Sequence, residues 1–298
     1  MNRPTSQIPR SSRPNEPKAF PLTDTAATTP VTPRLSATVM LLRDSPTGIE
    51  VFMVVRHRQI EFASGAIVFP GGSLDASDRD PRLPALCDGA AGLDQAALAL
   101  RVAAAREAFE ECGVLFARDA VNGDLVDGGR AADLGAKYRA RLEADEIGLA
   151  DLAEAESVRI ALDHLTRFAH WVTPVHMRKR FDTHFFLAPA PVDHTLEHDG
   201  SEAVDSVWLT PAEALSEAAA GKRTMIFATR LNLERLDRCR TVDEAIRRAA
   251  AEEAGIVTVC PAMTMTDKGR MLTIPVEAGY GGPDFFVETS ALADNKKT

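Results

Sequence analysis

Three glutamates crowd one side of a predicted helix in the middle of the chain. Glu107, Glu110 and Glu111 are spaced so that, at 100° per residue, they fall within about 100° of one another. Carboxylates near the C-terminal end of a helix repel one another and are opposed by the helix dipole. Mg²⁺ or Mn²⁺ would offset that cost, because hard cations prefer carboxylate oxygens. A bare ExxEE is more often a solvated acidic face paired with Arg106, so other features must decide.

Two features favour the metal site. Residues 106–114 fit the pattern R-E-U-x-E-E-x-G-U, where U is a bulky apolar residue, except that Ala108 is small. Gly71 and Gly72 follow a short predicted strand in Phe-Pro-Gly-Gly, and glycines let the backbone approach a metal-phosphate site. Together these segments resemble the Nudix box, the signature of the Nudix hydrolases.

The match to that box departs from the family pattern in one place. The pattern G-x5-E-x7-R-E-U-x-E-E-x-G-U puts Arg 14 positions after its Gly, whereas Arg106 follows Gly72 by 34 positions, so the loop is 20 residues longer. Asp78 takes the place of the first Glu of the pattern only if the insertion follows it. An insertion here resembles the subgroup that includes the peroxisomal coenzyme A diphosphatases. Segments similar to that subgroup occur at residues 62–72, 170–174, 180–186 and 205–213.

A coenzyme A signature of the subgroup, L-L-T-x-R-[SA]-x3-R-x3-G-x3-F-P-G-G, is matched in part. Arg56, Gly65 and residues 69–72 agree with it in register. His57 stands where Ser or Ala is expected, and Glu61 stands where a second Arg is expected. An acid in place of a base that should meet a phosphate weakens the coenzyme A assignment.

The resemblance implies metal-dependent hydrolysis of a nucleoside diphosphate linked to another group. The subgroup points to coenzyme A or acyl-coenzyme A, with 3′,5′-ADP and (acyl)phosphopantetheine as products. The alternatives are a Nudix pyrophosphatase acting on ADP-ribose, NADH or a dinucleotide, and a non-catalytic Nudix-fold binding module. The three helix glutamates are all present, which favours an enzyme.

The resemblance also assigns roles to residues. Arg106 would orient the carboxylates, and the general base is left open between Glu107 and Glu202. The remaining candidates are the ligands of Mg²⁺ or Mn²⁺, namely Glu107, Glu110, Glu111 and the Gly71 carbonyl, and the substrate-binding residues Arg56, Arg58, Gly72 and Arg180.

The pattern of apolar residues predicts an α+β chain. Residues 35–43 and 49–56 are predicted strands of a hairpin, and a helix over 94–112 is expected to begin at the N-cap Asp94 and end before Gly113. Strands and helices show no regular alternation, which favours a layered fold over a doubly wound sheet. The family resemblance implies an α/β/α sandwich with a mixed sheet.

The organisation predicted for the chain is a tail followed by one domain. Residues 1–34 are rich in Pro, Ser and Thr and predict a disordered tail. Residues 35–298 form the single Nudix domain, with a helical insertion at about 116–165 and a C-terminal extension at about 221–298. Whether the insertion caps the cleft or forms a homodimer contact stays open, as does a lid role for the loop 73–93.

Composition limits the partners. The formal net charge of −9 would repel a nucleic acid backbone, so a small nucleotide-type substrate held through a cation is expected and nucleic acid is not. No apolar run approaches the roughly eighteen residues of a membrane span. The four cysteines are widely separated and form no CxxC pair, which favours a reducing cytoplasm.

Overall fold

Apolar, β-branched runs form the strands of the computed structural model, which describes residues 31–56, 65–194, 196 and 203–288. The predicted N-terminal hairpin and the helix carrying the glutamates are confirmed. The strands are β1 (Arg34–Ser45), β2 (Gly48–Arg56), β3 (Ala66–Val68), β4 (Gly71–Ser73), β5 (Cys87–Asp88), β6 (Ala117–Asp119), β7 (Val158–Ala161), β8 (Thr166–Val172), β9 (Phe181–Pro189), β10 (Ala203–Leu209), β11 (Thr224–Met225), β12 (Thr258–Val259), β13 (Ala262–Thr266), β14 (Gly269–Thr273) and β15 (Asp284–Glu288). The helices are α1 (Leu83–Leu86), α2 (Gln95–Cys112), α3 (Gly128–Glu143), α4 (Leu149–Glu156), α5 (Pro211–Ala219), α6 (Phe227–Leu236) and α7 (Val242–Glu252).

The main sheet is mixed. Its strand order is β11-β3-β2-β1-β9-β8-β12, with β10 paired to β2 and β4 paired to β1. The central β1 and β9 run parallel over nine paired residues, whereas β1 with β2 and β8 with β9 are antiparallel. The mixed sheet predicted from the family resemblance is therefore confirmed.

Residues 69–72, the glycine segment, lie in a gap between two strands of this sheet. β1 and β2 pair next to their turn, from Leu42 with Val51 to Ser45 with Gly48, and then diverge. β3 pairs with β2 on one side of the gap, and β4 pairs with β1 on the other, both antiparallel. The chain therefore reverses at Phe69 and Pro70, and the two glycines follow at the inner edge of β1.

Helices cover both faces of the sheet. Alternate residues of β1 face opposite layers: Val39 and Leu41 belong to the core shared with α2, α3 and α4. Met40 and Leu42 belong to the core shared with α5, α6 and α7. This arrangement is the predicted α/β/α sandwich, and it places α2 directly over β1 and β4.

The inserted segment is only partly helical. α3 and α4 confirm two helices within 116–165, but β6 and β7 also lie there, where strands were not predicted. β7 pairs with β6 on one side and with β5 on the other in a separate three-stranded sheet. The segment is therefore helical only in part, because β7 depends on pairing with Cys87, more than seventy positions away in sequence, and β6 depends on pairing with β7.

The C-terminal extension also contains unpredicted structure. β13, β14 and β15 form an antiparallel three-stranded sheet. Most of the predicted tail, residues 1–30, lies outside the described residues. Among the helices that the structure describes, none has both the length and the apolar character needed to cross a membrane.

Candidate active site

α2 has the ends that the sequence predicted. The Asp94 side chain accepts a hydrogen bond from the Ala97 amide at 2.7 Å, and Gly113 closes the helix in the left-handed conformation with φ of 73°. The charged residues Arg106, Glu107 and Glu110 are all buried. The charged side of α2 contacts β4 and the segment that carries Asp78, so it also meets protein.

Arg106 is the centre of the buried cluster. Its Nη1 donates to Glu110 Oε2 at 2.8 Å and lies 3.0 Å from Glu107 Oε1. Its Nε and Nη2 donate to the two carboxylate oxygens of Asp78, at 3.0 and 3.1 Å. A planar guanidinium can make this fork of bonds, which fixes the relative positions of three carboxylates.

Asp78 is the residue whose role the sequence left undecided. Its side chain is almost completely buried, at 1% exposed, and also accepts from the Asp75 amide at 2.8 Å. Arg106 additionally donates to the Ser73 carbonyl at 2.9 Å, which ties the strand carrying the glycines to the helix. Asp78 is therefore part of the Arg106 cluster. Its spacing of six residues from Gly72 was the available signal.

The glycines allow the backbone to touch the helix glutamates. The Gly71 amide donates to Glu111 Oε2 at 2.9 Å. A side chain at Gly71 is excluded, because its φ is 153° and a Cβ would lie 2.4 Å from the Ala37 carbonyl oxygen. A Cβ at Gly72 would lie 2.4 Å from Glu107 Oε1. Glu107 and Glu111 thus contact adjacent residues of the same short strand.

Replacing Gly72 with alanine is expected to lower kcat by about a hundredfold with little loss of stability. The new methyl group would displace the flexible end of Glu107 rather than any backbone, and a shift of about 1 Å at a catalytic group can cost that factor. Turnover and thermal unfolding of the variant would be compared with those of Gly255→Ala, at a position where a Cβ meets nothing within 4 Å. Full activity of Gly72→Ala would contradict the placement of Glu107 at the reaction site.

Crowding and burial change the ionisation of the cluster. Burial raises the pKa of Glu107 to about 8 despite the attraction of Arg106. Burial likewise raises the pKa of Glu110 to about 7, and raises that of Asp75. For Arg106, burial by itself would lower the pKa, but its bonds to Asp78 and its attraction to the glutamates raise it overall. The single positive charge of Arg106 therefore does not balance the negative charges of all the carboxylates around it.

The donor set fits a hard divalent cation. Glu110 Oε1 is buried and has no hydrogen-bond partner within the described part of the chain, although its other oxygen bonds Arg106. An unpartnered buried carboxylate oxygen is costly unless a cation or water satisfies it. Oxygen ligands with surplus negative charge are what Mg²⁺ and Mn²⁺ bind. Glu107, Glu110 and Glu111 are the side chains of this helix that could supply such ligands.

Arg139 of α3 is a supporting residue that the sequence did not reveal. Its Nε donates to the Glu110 carbonyl oxygen at 3.1 Å, close to the C-terminal end of α2. A cation there is favourable for the helix dipole, opposite to the effect of the glutamates. The inserted segment thus stabilises the part of α2 that carries the site, and no local pattern around Arg139 indicated this.

The predicted substrate-binding residues are not all near this cluster. Arg56 ends β2 on the same face as Phe52 and Val54, which is the face covered by α2. Arg180 was predicted to bind substrate, but it is buried and donates to the carbonyl oxygens of Thr173 and Val31, at 3.0 and 2.7 Å. That prediction was wrong, because Arg180 holds the start of β9 and the segment before β1. Arg58 and Glu202 lie outside the described residues.

Comparison with known proteins gives matches of several kinds. The sequence profile of the NUDT19 Nudix domain matches residues 88–231, which include α2 but not the glycine segment. Acyl-coenzyme A diphosphatase NUDT19 of Xenopus laevis is 22% identical over 295 residues, covering 86% of this chain and 76% of that protein. A Caenorhabditis elegans protein named as a nudix hydrolase is 29% identical over 177 residues, covering 58% of this chain. The chain matches only 50% of the length of that nematode protein.

One solved structure supports the fold directly. The crystal structure of a NUDIX hydrolase from Alicyclobacillus acidocaldarius is similar with a TM-score of 0.64 and 29% sequence identity. The similarity covers 72% of this chain and 96% of that one. It therefore includes nearly the whole of the bacterial protein.

Proposed function

The chain is a Nudix hydrolase that resembles the coenzyme A diphosphatases. We propose that it hydrolyses the diphosphate of coenzyme A or of an acyl-coenzyme A. The observation that carries the proposal is the buried Arg106 cluster, in which one Glu110 oxygen has no hydrogen-bond partner among the described residues. The substrate class is supported by the similarity to a frog acyl-coenzyme A diphosphatase over 86% of this chain. We propose Mg²⁺ or Mn²⁺ as the cation.

The reaction is attack of water on one phosphorus of the diphosphate. A new P–O bond forms, the bridging P–O bond breaks, and the leaving phosphate oxygen takes the electron pair. The products are 3′,5′-ADP and (acyl)phosphopantetheine. Charge neutralisation at the diphosphate and a lowered pKa of the attacking water are the chemistry that a bound divalent cation supplies.

The residues of this chain position that chemistry. Arg106 holds Glu107 and Glu110 against Asp78, so that the carboxylates have little freedom to reorganise. Glu111 accepts from the Gly71 amide and so fixes the strand beside the cluster. Among the residues that the structure describes, Arg56 is the candidate for contact with substrate phosphates, and it lies on the face covered by α2.

Two glutamates are candidates for the general base. Glu107 lies against Gly72, and its Oε1 is 3.0 Å from Arg106 Nη1, so the carboxylate is held in place within the cluster. Glu202 is the second candidate and lies outside the described residues.

A product assay tests the proposal. The full chain would be incubated with Mg²⁺ or Mn²⁺ and coenzyme A, several acyl-coenzyme A species, ADP-ribose, NADH and a diadenosine polyphosphate, and the products separated by chromatography. We expect 3′,5′-ADP from the coenzyme A compounds alone. That result would also show that His57 and Glu61 do not prevent recognition of coenzyme A.

Other outcomes have different meanings. Cleavage of ADP-ribose, NADH or the dinucleotide without cleavage of coenzyme A would overturn the substrate assignment but keep the diphosphatase chemistry. No product from any compound with either cation would overturn the enzymatic proposal and favour a binding module.

A further inference from the structure

Two histidines and an aspartate form a second cluster of ligating side chains. His170 of β8 is directly paired with His184 of β9, and their rings stack with centroids 4.0 Å apart and planes 20° apart. Asp182 lies two residues before His184 and therefore on the same face of the sheet. One ligand atom from each of the three residues lies within 4.8 Å of the others.

This cluster is separate from the Arg106 cluster. Ala37 of β1 pairs with His184 on one side and with Gly72 on the other. Two strand spacings place His184 about 10 Å from Gly72 along the sheet. The clusters share no residue, and the second one contains imidazoles where the first contains carboxylates.

The ligand atoms converge on one point. His170 Nε2 is hydrogen-bonded to Asp182 Oδ1, and His184 Nε2 lies 3.7 Å from the same oxygen. Ligand atoms about 2.0–2.1 Å from a tetrahedral ion are about 3.3 Å apart, so small side-chain movements would bring all three into range. The side chains of His170, Asp182 and His184 are 16%, 29% and 12% exposed, which leaves a route for water or an ion.

The side chains that contact the Nδ1 atoms of the two imidazoles have opposite effects on whether Nε2 is free to bind a metal. His170 Nδ1 lies 2.8 Å from Thr258 Oγ1, a hydroxyl that can accept the Nδ1 proton when Nε2 is a ligand. Arg167 Nη2 lies 3.4 Å from His184 Nδ1, and this contact favours the tautomer with its proton on Nε2.

We propose that His170, Asp182 and His184 bind a divalent transition-metal ion of the Zn²⁺ type. Two imidazoles and one carboxylate favour such an ion over Mg²⁺, which prefers oxygen ligands alone. Three protein ligands leave a fourth position for water. The ion would join β8 to β9 and, through Thr258, would also hold β12 of the C-terminal extension.

Zinc titration of the full chain tests this site. After removal of metals, Zn²⁺ binding would be measured by calorimetry in millimolar Mg²⁺, which occupies the carboxylate site. We expect one zinc equivalent, lost or weakened by more than tenfold in His184→Ala and in the isosteric Asp182→Asn, since even outer-shell changes cost about 10–100-fold. His164→Ala is the matched control, because His164 is also a half-buried histidine beside an arginine, Arg118.

Arg167→Gln is expected to bind zinc more tightly, a result that misfolding would not produce. It removes a positive charge from the site and offers an amide oxygen to His184 Nδ1, so zinc binding should become tighter. Glu111→Gln should bind zinc as the unaltered chain does. The proposal is overturned if the unaltered chain binds no zinc in Mg²⁺, if His184→Ala binds it equally well, if Arg167→Gln weakens binding, or if Glu111→Gln loses the equivalent.

Discussion

Glu111→Gln is expected to lower kcat by more than a hundredfold while the protein stays folded. Loss of an outer-shell partner of a metal site costs about 10–100-fold, and loss of a charged ligand should exceed that range. Glutamine has the same length and keeps a carbonyl oxygen that can accept from the Gly71 amide. The backbone contact therefore persists, and the negative charge is what the substitution removes.

The measurement is kcat and KM on the substrate identified by the product assay, across a range of Mg²⁺ concentrations. We expect the Mg²⁺ dependence to shift to higher concentration and thermal unfolding to change little. Glu234→Gln on α6 is the control, because it removes the same charge from a half-buried helix position on the other side of the sheet. Activity of Glu111→Gln within a few-fold of the unaltered enzyme would refute the site assignment.

Arg106→Met is expected to destabilise the protein by about 3–5 kcal/mol, the usual cost of leaving buried charges without their partner. Asp78, Glu107 and Glu110 would lose their common counterion while largely buried. For a domain of this size the melting temperature should fall by roughly 6–20 °C. Denaturant unfolding without divalent cations would measure the loss.

Adding Mg²⁺ should stabilise Arg106→Met more than it stabilises the unaltered chain, because the cation takes over the neutralisation of the carboxylates. Arg101→Met is the matched control on the same helix, since Arg101 is also buried but pairs with the distant Glu253. A Mg²⁺ response equal in Arg106→Met and Arg101→Met would show that the cluster does not bind the cation. Lysine at position 106 should rescue stability only in part, because it cannot make the fork of bonds to Asp78.

Local sequence patterns were enough to predict the elements that carry the site. α2 was predicted with its N-cap Asp94 and its closing Gly113, because capping and helical periodicity depend on residues a few positions apart. The β1 and β2 hairpin followed from two apolar runs around a turn. The three glutamates on that helix and the glycines before it were enough to indicate the family.

Contacts between distant segments decided what those patterns could not. Glu107 is buried against Gly72 of β4, and Asp78 meets Arg106 across 28 positions of sequence. The three-stranded sheet around β7 depends in the same way on pairing with Cys87. Each of these arrangements required the fold before it could be seen.

By itself, the sequence determined which residue types are available and how they lie on one helix or strand, because backbone periodicity fixes the direction of each side chain locally. Only the tertiary structure decided that Arg180 supports β9 instead of binding substrate, and that His170 faces His184. Strand register sets that pairing, and a slip of one residue would turn a histidine to the opposite face of the sheet. The register is fixed by burial of the whole sheet, which no short segment encodes.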